Sequence, residues 1–468
     1  MPPVIKLLLI TATFFGLFFL PPEFIPIAGI SIEQQRVLAI FVVATLLWVS
    51  EAVPAYATSL LILGMLSITV SNTSPYFLRA ALDPESMLSY KEILSSLAAP
   101  VVVLFLGGFF IAIAATKYKL DINLARVLLK PIGRDYKKVM LGLMAITAFF
   151  SMFMSNTATT AMMLTLLTPL LADVDTKDNG AKAMILAVPV AANIGGIGTP
   201  IGTPPNAIAF RYLTGEHAIT FGEWMLFAMP LALVLIMIAW MLLRKLYPGN
   251  IKELSVNIES SFERSPKAYL VYGTIAATVT LWITSSFHGV NSYTVALLPV
   301  IVFSLSGIID TSDIRKINWD VLWLIAGGIA LGYALEKSGL ASAVVHTIPF
   351  DSMDTLAVLF LMAVVAMVMA TFMSNTATAN LLMPIAVSIA TVLSGLESYG
   401  GISIMVICVA LSASMGMSLP ISTPPNALAH ATGMVASRDF IKTGKFISTI
   451  GVVLIFAIIV MLGALGYF

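Results

Sequence analysis

The sequence predicts an all-α integral membrane protein with eleven transmembrane helices, two re-entrant helical hairpins and an internal inverted repeat. Three observations predict it. Of 468 residues, 59% are hydrophobic and only 10% charged, which excludes a soluble multidomain protein. Apolar runs long enough to cross a bilayer recur along the whole chain. One heptapeptide, Phe-Met-Ser-Asn-Thr-Ala-Thr, occurs twice, at Phe153–Thr159 and Phe372–Thr378.

Charge and cysteine content narrow the partners. The 25 Lys and Arg nearly cancel the 24 Asp and Glu, and a net charge of +1 gives no reason to expect nucleic acid. Small molecules and the lipid bilayer remain. A single cysteine, Cys408, lies in an apolar run and excludes a disulfide framework or a thiolate metal site. Four histidines are a poor basis for an imidazole metal cluster.

Taken in order, the expected crossings are Val4–Leu20, Val37–Ser50, Ala55–Val70, Leu97–Ala115, an interrupted Met184–Leu213, Phe221–Leu243, Ala268–Thr284, Ser292–Ile308, Val321–Leu335, an interrupted Ile402–Val435 and Phe446–Leu465. The first ends in Leu20-Pro21-Pro22 without a small-residue cleavage site, so it reads as a retained helix rather than a signal peptide. Val139–Leu171 and Thr355–Leu393 are too long for one helix and are broken in the middle by Ser-Asn-Thr. Both read as hairpins that enter and leave on one side. Leu120–Lys130 alternates apolar and basic residues as an interfacial helix does, and Pro248–Lys267 is a polar linker between halves.

With the N-terminus in the cytoplasm, only Arg36, Arg79, Lys91, Arg211 and Lys337 fall outside or near the outer interface, leaving twenty of the 25 basic residues inside, Lys177 among them. The C-terminus is then extracytoplasmic, in a multi-pass protein of the plasma (inner) membrane.

A second motif is also duplicated. Thr-Pro-Pro-Asn-Ala occurs at Thr203–Ala207 and Thr423–Ala427, and Gly107-Gly108 recurs as Gly327-Gly328 at the same offset. Five crossings separate Ser155 from Ser374, so the second copy lies upside down relative to the first, the arrangement of secondary transporters.

The repeated motifs have a definite chemistry. A hairpin tip at mid-membrane leaves helix-end N–H and C=O groups without intrahelical partners. Ser155-Asn156-Thr157 and Ser374-Asn375-Thr376 bring hydroxyls and amides there, and the helices restarting at the tips aim their positive ends at it, which favours an anion. The Gly- and Pro-rich breaks, Gly195–Pro205 and Met415–Pro425, expose carbonyls suited to a hard cation such as sodium. No Lys or Arg occurs within Val139–Leu171, from Ala183 to Phe210 or from Ser338 to Ser437, so an anion there must be met by helix ends, hydroxyls, amides and bound cations. The acidic residues nearby, Asp173, Asp175, Asp178, Asp351, Asp354 and Glu397, fall at predicted ends, which favours sodium over a buried proton relay.

The bland alternative is that Ser, Asn and Thr only bind helices together and that Gly and Pro are packing kinks. Two matched copies, each with its own broken helix, argue against it. Glu51 and Asp320 read as interfacial or locally paired residues at helix ends, His217, His288 and His346 as solvated ends, and the 25 Met as packing. His430, just beyond the second Thr-Pro-Pro-Asn, is a weaker candidate for function.

The same motifs resemble those of the divalent anion/sodium symporter family, the dicarboxylate and citrate carriers that include the INDY proteins. The resemblance covers nearly the whole chain and includes Trp48-Val49-Ser50-Glu51-Ala52-Val53-Pro54, Phe105-Leu106-Gly107-Gly108-Phe109, both tips, both breaks and Asn318-Trp319-Asp320. It implies a homodimer in which scaffold segments (1–130 and 268–350) hold transport segments (131–247 and 351–468) that move as an elevator, with the cytoplasmic linker 248–267 between the halves. It implies that substrate carboxylates are held by Ser155, Asn156, Thr157, Ser374, Asn375 and Thr376, beside Thr203, Pro204, Thr423 and Pro424. One sodium would sit among Ser151, Ser155, Asn156 and Gly202, and a second among Ala370, Asn375 and Ser422. Ala370 departs from the pattern, because it matches Ser151, where a hydroxyl is expected.

The expected function is sodium-coupled import of C4 dicarboxylates such as succinate, malate or fumarate. Alternatives are a sodium-independent dicarboxylate exchanger, a passive anion channel and an intramembrane hydrolase using Ser155 or Ser374. The last lacks a His or acidic residue near either serine in sequence.

Overall fold

The computed structural model is helical throughout its core and describes all residues except 1, 28, 172–173, 176–177, 255–260 and 351–352. Asp173, Lys177 and Asp351, placed above at membrane edges, lie outside the described residues, as does the middle of the linker. Among the described residues seven helices are long and apolar enough to cross a membrane, and four shorter apolar helices accompany them. Their outward faces carry large apolar side chains such as Leu8, Phe19 and Leu226, as a lipid-facing surface requires.

Both hairpins form where the Ser-Asn-Thr triplets interrupt the apolar runs. Tyr136–Ser151 ends at the first triplet and Asn156–Leu170 restarts from it; Thr355–Phe372 and Asn375–Val392 do the same at the second. The cause is local. Ser155 and Ser374 have extended backbones and their Oγ atoms accept N–H bonds from Ala158 (3.2 Å) and Ala377 (3.1 Å), so each serine is the N-cap of the returning helix.

The interrupted spans break as the Gly and Pro residues require. Asn179–Gly196 stops, and Pro204–Tyr212 restarts with proline in its first turn; Gly401–Ala413 and Pro424–Ala431 repeat the pattern. At each break the carbonyls of the stopped helix lose their partners, and the Asn of Thr-Pro-Pro-Asn replaces them. Asn206 Nδ2 donates to the carbonyls of Gly196, Ile197 and Thr199 at 3.1, 3.2 and 2.8 Å. Asn426 Nδ2 donates to those of Met417 and Leu419 at 2.8 and 2.9 Å.

The two halves exchange partners symmetrically. Pro204–Tyr212 packs on Gly401–Ala413 and on Asn375–Val392 of the other half, while Pro424–Ala431 packs on Asn179–Gly196 and on Asn156–Leu170. The largest buried apolar cluster joins both hairpins, both broken helices, Phe221–Leu246 and Ser437–Ala464. Two smaller clusters flank it, one holding Ile40, Leu66 and Leu331, the other Phe105, Phe303 and Ile325. In these the repeated glycine pairs allow close approach. A Cβ on Gly107 would come within 2.5 Å of the Ala296 carbonyl oxygen, and one on Gly327 within 2.3 Å of Ser59 Cβ.

Some boundaries differ from expectation. The span expected to reach Ile308 ends at Leu305, because Gly307 turns left-handed (φ 60°) and the N–H groups of Ile308 and Ile309 fold back onto the Phe303 carbonyl. The last helix begins at Ser437 rather than Phe446, started by Asp439, whose carboxylate accepts the Ala436 N–H at 2.9 Å. The interfacial helix forms over Leu120–Leu129, and its counterpart 220 residues later, Leu340–Val345, was not expected. Each follows a left-handed residue, Lys119 (φ 53°) and Gly339 (φ 72°). The linker is anchored rather than free at its start, where Lys252 and Leu254 exchange backbone hydrogen bonds with Tyr136 and Arg134.

Candidate functional site

The two tips and the two breaks, far apart in sequence, line one cavity of about 330 Å³. Ser155, Asn156, Thr157, Ser374, Asn375 and Thr376 meet there with Gly202, Thr203, Pro204, Ser422, Thr423 and Pro424. Phe105, Phe109 and Phe153 contribute apolar wall. Of the residues expected at the site, Ser151 and Ala370 do not line the cavity; both are fully buried behind the tips.

The tips present donors. The N-cap bond occupies one acceptor lone pair of each serine and leaves its O–H able to donate. Behind it stand the first-turn N–H groups at 156–157 and 375–376, which no intrahelical carbonyl can reach, at the positive end of a helix. Two cross-links hold tips and breaks together. Thr199 donates its hydroxyl to the Met152 carbonyl in the first half, and Ser422 Oγ donates to the Thr371 carbonyl at 2.6 Å in the second.

Behind the tips the donor sets are neutral oxygens. Ser151 Oγ lies 2.5 Å from Asn156 Oδ1 and 2.8 Å from the Ala192 carbonyl oxygen, two acceptors that share its one proton. A Cβ placed on Gly196 would fall 2.7 Å from Asn156 Oδ1, 3.0 Å from its Nδ2 and 3.1 Å from the Gly202 carbonyl oxygen, so the missing side chain leaves a small polar cradle with two oxygens in its wall. Carboxamide, hydroxyl and main-chain oxygens of this kind suit a hard cation such as sodium. In the second half Asn375 Oδ1 is buried with no hydrogen-bond partner, an acceptor that a cation would satisfy.

The breaks close differently. A Cβ on Gly202 would come within 2.4 Å of the Gly196 carbonyl oxygen, whereas the matching residue, Ser422, carries a side chain that reaches the hairpin of its own half.

Three lining residues were not expected. Asn193 sits in the middle of an apolar helix, donates from Nδ2 to Thr423 Oγ1 at 3.2 Å, and buries an Oδ1 without a partner. Its only sequence signal is a polar residue in an apolar run. Asn318 and Asp320, read as helix-end residues, do begin the helix Trp319–Lys337 and also line the cavity. Asp320 is the only charged residue in the described lining. Glu51, at the end of Ile32–Ser50 with φ 48°, lines a separate cavity that reaches Ser374. His430 lies away from the site, beside Ser437.

Comparison with known proteins places the whole chain. A sodium:sulfate symporter transmembrane-region model matches residues 3–466. An uncharacterised transporter of Haemophilus influenzae is 31% identical over 89% of this chain and 89% of its own. A sodium-dependent dicarboxylate transporter of Staphylococcus saprophyticus is 28% identical over 91% and 85%. An inorganic phosphate transporter of Saccharomyces cerevisiae is 30% identical over 89% of this chain, which spans only 45% of that longer protein. The Alcanivorax borkumensis YdaH transporter shares the fold at 12% identity, with a TM-score of 0.55 over 88% of this chain and 99% of that one. The chain is therefore a membrane transporter and not an enzyme, and it belongs to the sodium:sulfate symporter family, the divalent anion/sodium symporters its motifs resemble.

Proposed function

We propose that the protein is a sodium-coupled carrier of C4 dicarboxylates such as succinate, malate and fumarate. The observation that carries this reading is the convergence of both Ser-Asn-Thr tips on one cavity whose described lining holds no Lys or Arg. A dianion entering it can be held by two helix N-termini and the tip hydroxyls, but its charge remains uncompensated in low dielectric. Sodium at the oxygen sets around Asn156 and Asn375 supplies that compensation and at the same time orders the tips. Binding of ion and substrate is therefore mutually favourable.

In this reading Ser155, Asn156, Thr157, Ser374, Asn375 and Thr376 bind the carboxylates, beside Thr203, Pro204, Thr423 and Pro424. Ser151, Ser155, Asn156 and Gly202 take one sodium, and Asn375 and Ser422, with backbone at Ala370, the other. Segments 131–247 and 351–468 form a transport unit that moves against a dimeric scaffold of 1–130 and 268–350, in a plasma membrane with the N-terminus cytoplasmic. The fully loaded and the empty unit cross cheaply; a partly loaded one, carrying unbalanced charge, does not.

A sodium-independent exchanger is the second reading, favoured by one residue, Ala370, where the second set lacks the hydroxyl that Ser151 gives the first. Radiolabelled succinate uptake into liposomes tests both. Accumulation with an inward sodium gradient but not a potassium gradient supports the symporter. Uptake requiring only internal unlabelled succinate supports the exchanger. Uptake of labelled sulfate, phosphate or citrate with none of labelled succinate would overturn the dicarboxylate assignment.

A further inference from the structure

The two tips have unequal surroundings. A cavity of about 300 Å³ adjoins the central one and shares Phe109, Met154, Ser155 and Asn318 with it. Its wall holds Lys117, Lys316 and Asp313. The cavity beside Ser374 at the second tip is built from a different segment, residues 48–55, and contains Glu51 as its only charged lining residue among those described.

Both lysines share one carboxylate. Lys117 Nζ donates to Asp313 Oδ2, and Lys316 Nζ donates to Asp313 Oδ1 at 2.8 Å. Lys117 also lies 3.3 Å from Asp310, which is outside the cavity wall. The Asp313 side chain is 2% exposed, against 35% for Lys117 and 65% for Lys316, so the ammonium groups are the more accessible charges of the cluster. Burial opposes ionisation of Asp313, yet the two lysine bonds keep its carboxyl below the ordinary range. Each ammonium has three N–H donors, and those not used on aspartate can reach an anion.

We propose that this cavity is a vestibule on the release path, in which Lys117 and Lys316 receive the substrate anion after it leaves the first tip. The proposal rests on the transport reading above. The positive-inside bias assigns this side to the cytoplasm. Lys117 and Lys316 adjoin a cavity whose described lining has no cation, and two accessible ammonium groups against one buried carboxylate in the wall favour an anion there. Asp313 keeps the lysines in place and competes for the same N–H groups, so the anion is received without being trapped. Lys117 ends the helix Pro100–Lys117, and Asp313 and Lys316 lie in the segment before Trp319, whereas Ser155 is on a hairpin. If the hairpin moves and the scaffold does not, the vestibule serves one orientation of the carrier only.

Succinate transport in right-side-out and inside-out membrane vesicles tests this. Lys117→Gln and Lys316→Gln should raise the KM measured from the cytoplasmic face about tenfold and leave the outer-face KM within about twofold. Asp313→Asn, which releases both lysines, should lower the cytoplasmic KM. The wild-type cytoplasmic KM should rise with ionic strength, and that of the double lysine variant should not. Equal KM changes at both faces, or lysine variants that lose only thermal stability, would overturn the vestibule while leaving the transporter intact. Absence of wild-type transport of succinate, sulfate and phosphate from either face would overturn both readings together.

Discussion

Ser151 Oγ lies 2.5 Å from Asn156 Oδ1 in a hydrogen bond that ties the end of one hairpin arm to the start of the next. The second hairpin has Ala370 in the matching place, and there Asn375 Oδ1 is buried without a partner. A duplicated unit has thus kept the amide in both halves and the hydroxyl in one.

This difference predicts unequal sodium sites. Ser151→Ala should raise the sodium concentration needed for half-maximal uptake about fivefold, the effect of losing roughly 1 kcal/mol of a hydroxyl contact. Ala370→Ser should lower it. Uptake measured against sodium concentration decides the matter, and identical curves for both variants and the wild type would remove these positions from cation binding.

The tip amides should be indispensable to transport and dispensable to folding. Asn156→Ala and Asn375→Ala are each expected to cut succinate uptake by roughly 100-fold or more, since a buried polar contact to a charged group contributes about 1.5–3 kcal/mol and two ligands depend on each amide. Size-exclusion profile and melting temperature should stay close to wild type. Normal uptake in both would end the site assignment.

A different loss is expected at the breaks. Asn206→Leu orphans the Gly196 carbonyl, since that of Ile197 keeps Trp224 Nε1 and that of Thr199 keeps the Gly202 N–H; Asn426→Leu orphans that of Met417, since that of Leu419 keeps the Ser422 N–H, and each buried orphan costs about 1–3 kcal/mol. Both variants should melt lower in detergent, by similar amounts. Melting of either within a degree of wild type would show that water satisfies these carbonyls.

Two glycines test backbone approach directly. Gly195→Ala brings a Cβ within 2.4 Å of Ala148 backbone atoms, and Gly202→Ala within 2.4 Å of the Gly196 carbonyl oxygen; Gly273 has open space and serves as control. Thermal stability should fall at Gly195, sodium dependence should weaken at Gly202, and Gly273→Ala should change neither. A stable, fully sodium-dependent Gly202→Ala variant would place the cation elsewhere than the cradle beside Gly196.

Much of the architecture is legible in the chain because its causes are local. Apolar runs dictate helices in lipid, proline and glycine stop them at Gly196 and Ala413, and the serine before Asn-Thr caps the returning helix at 156 and 375. The doubled motifs identify the repeat without any coordinates. What only the tertiary structure decided depends on contacts between residues hundreds of positions apart. It brings the two tips into one cavity, turns Asn193 and Asp320 from unremarkable residues into lining, and hides Ser151 and Ala370 behind the tips. It also gathers Lys117 and Lys316 on one buried aspartate. Such contacts follow from packing two halves against each other, and no local preference of sequence encodes which side chains then face the same space.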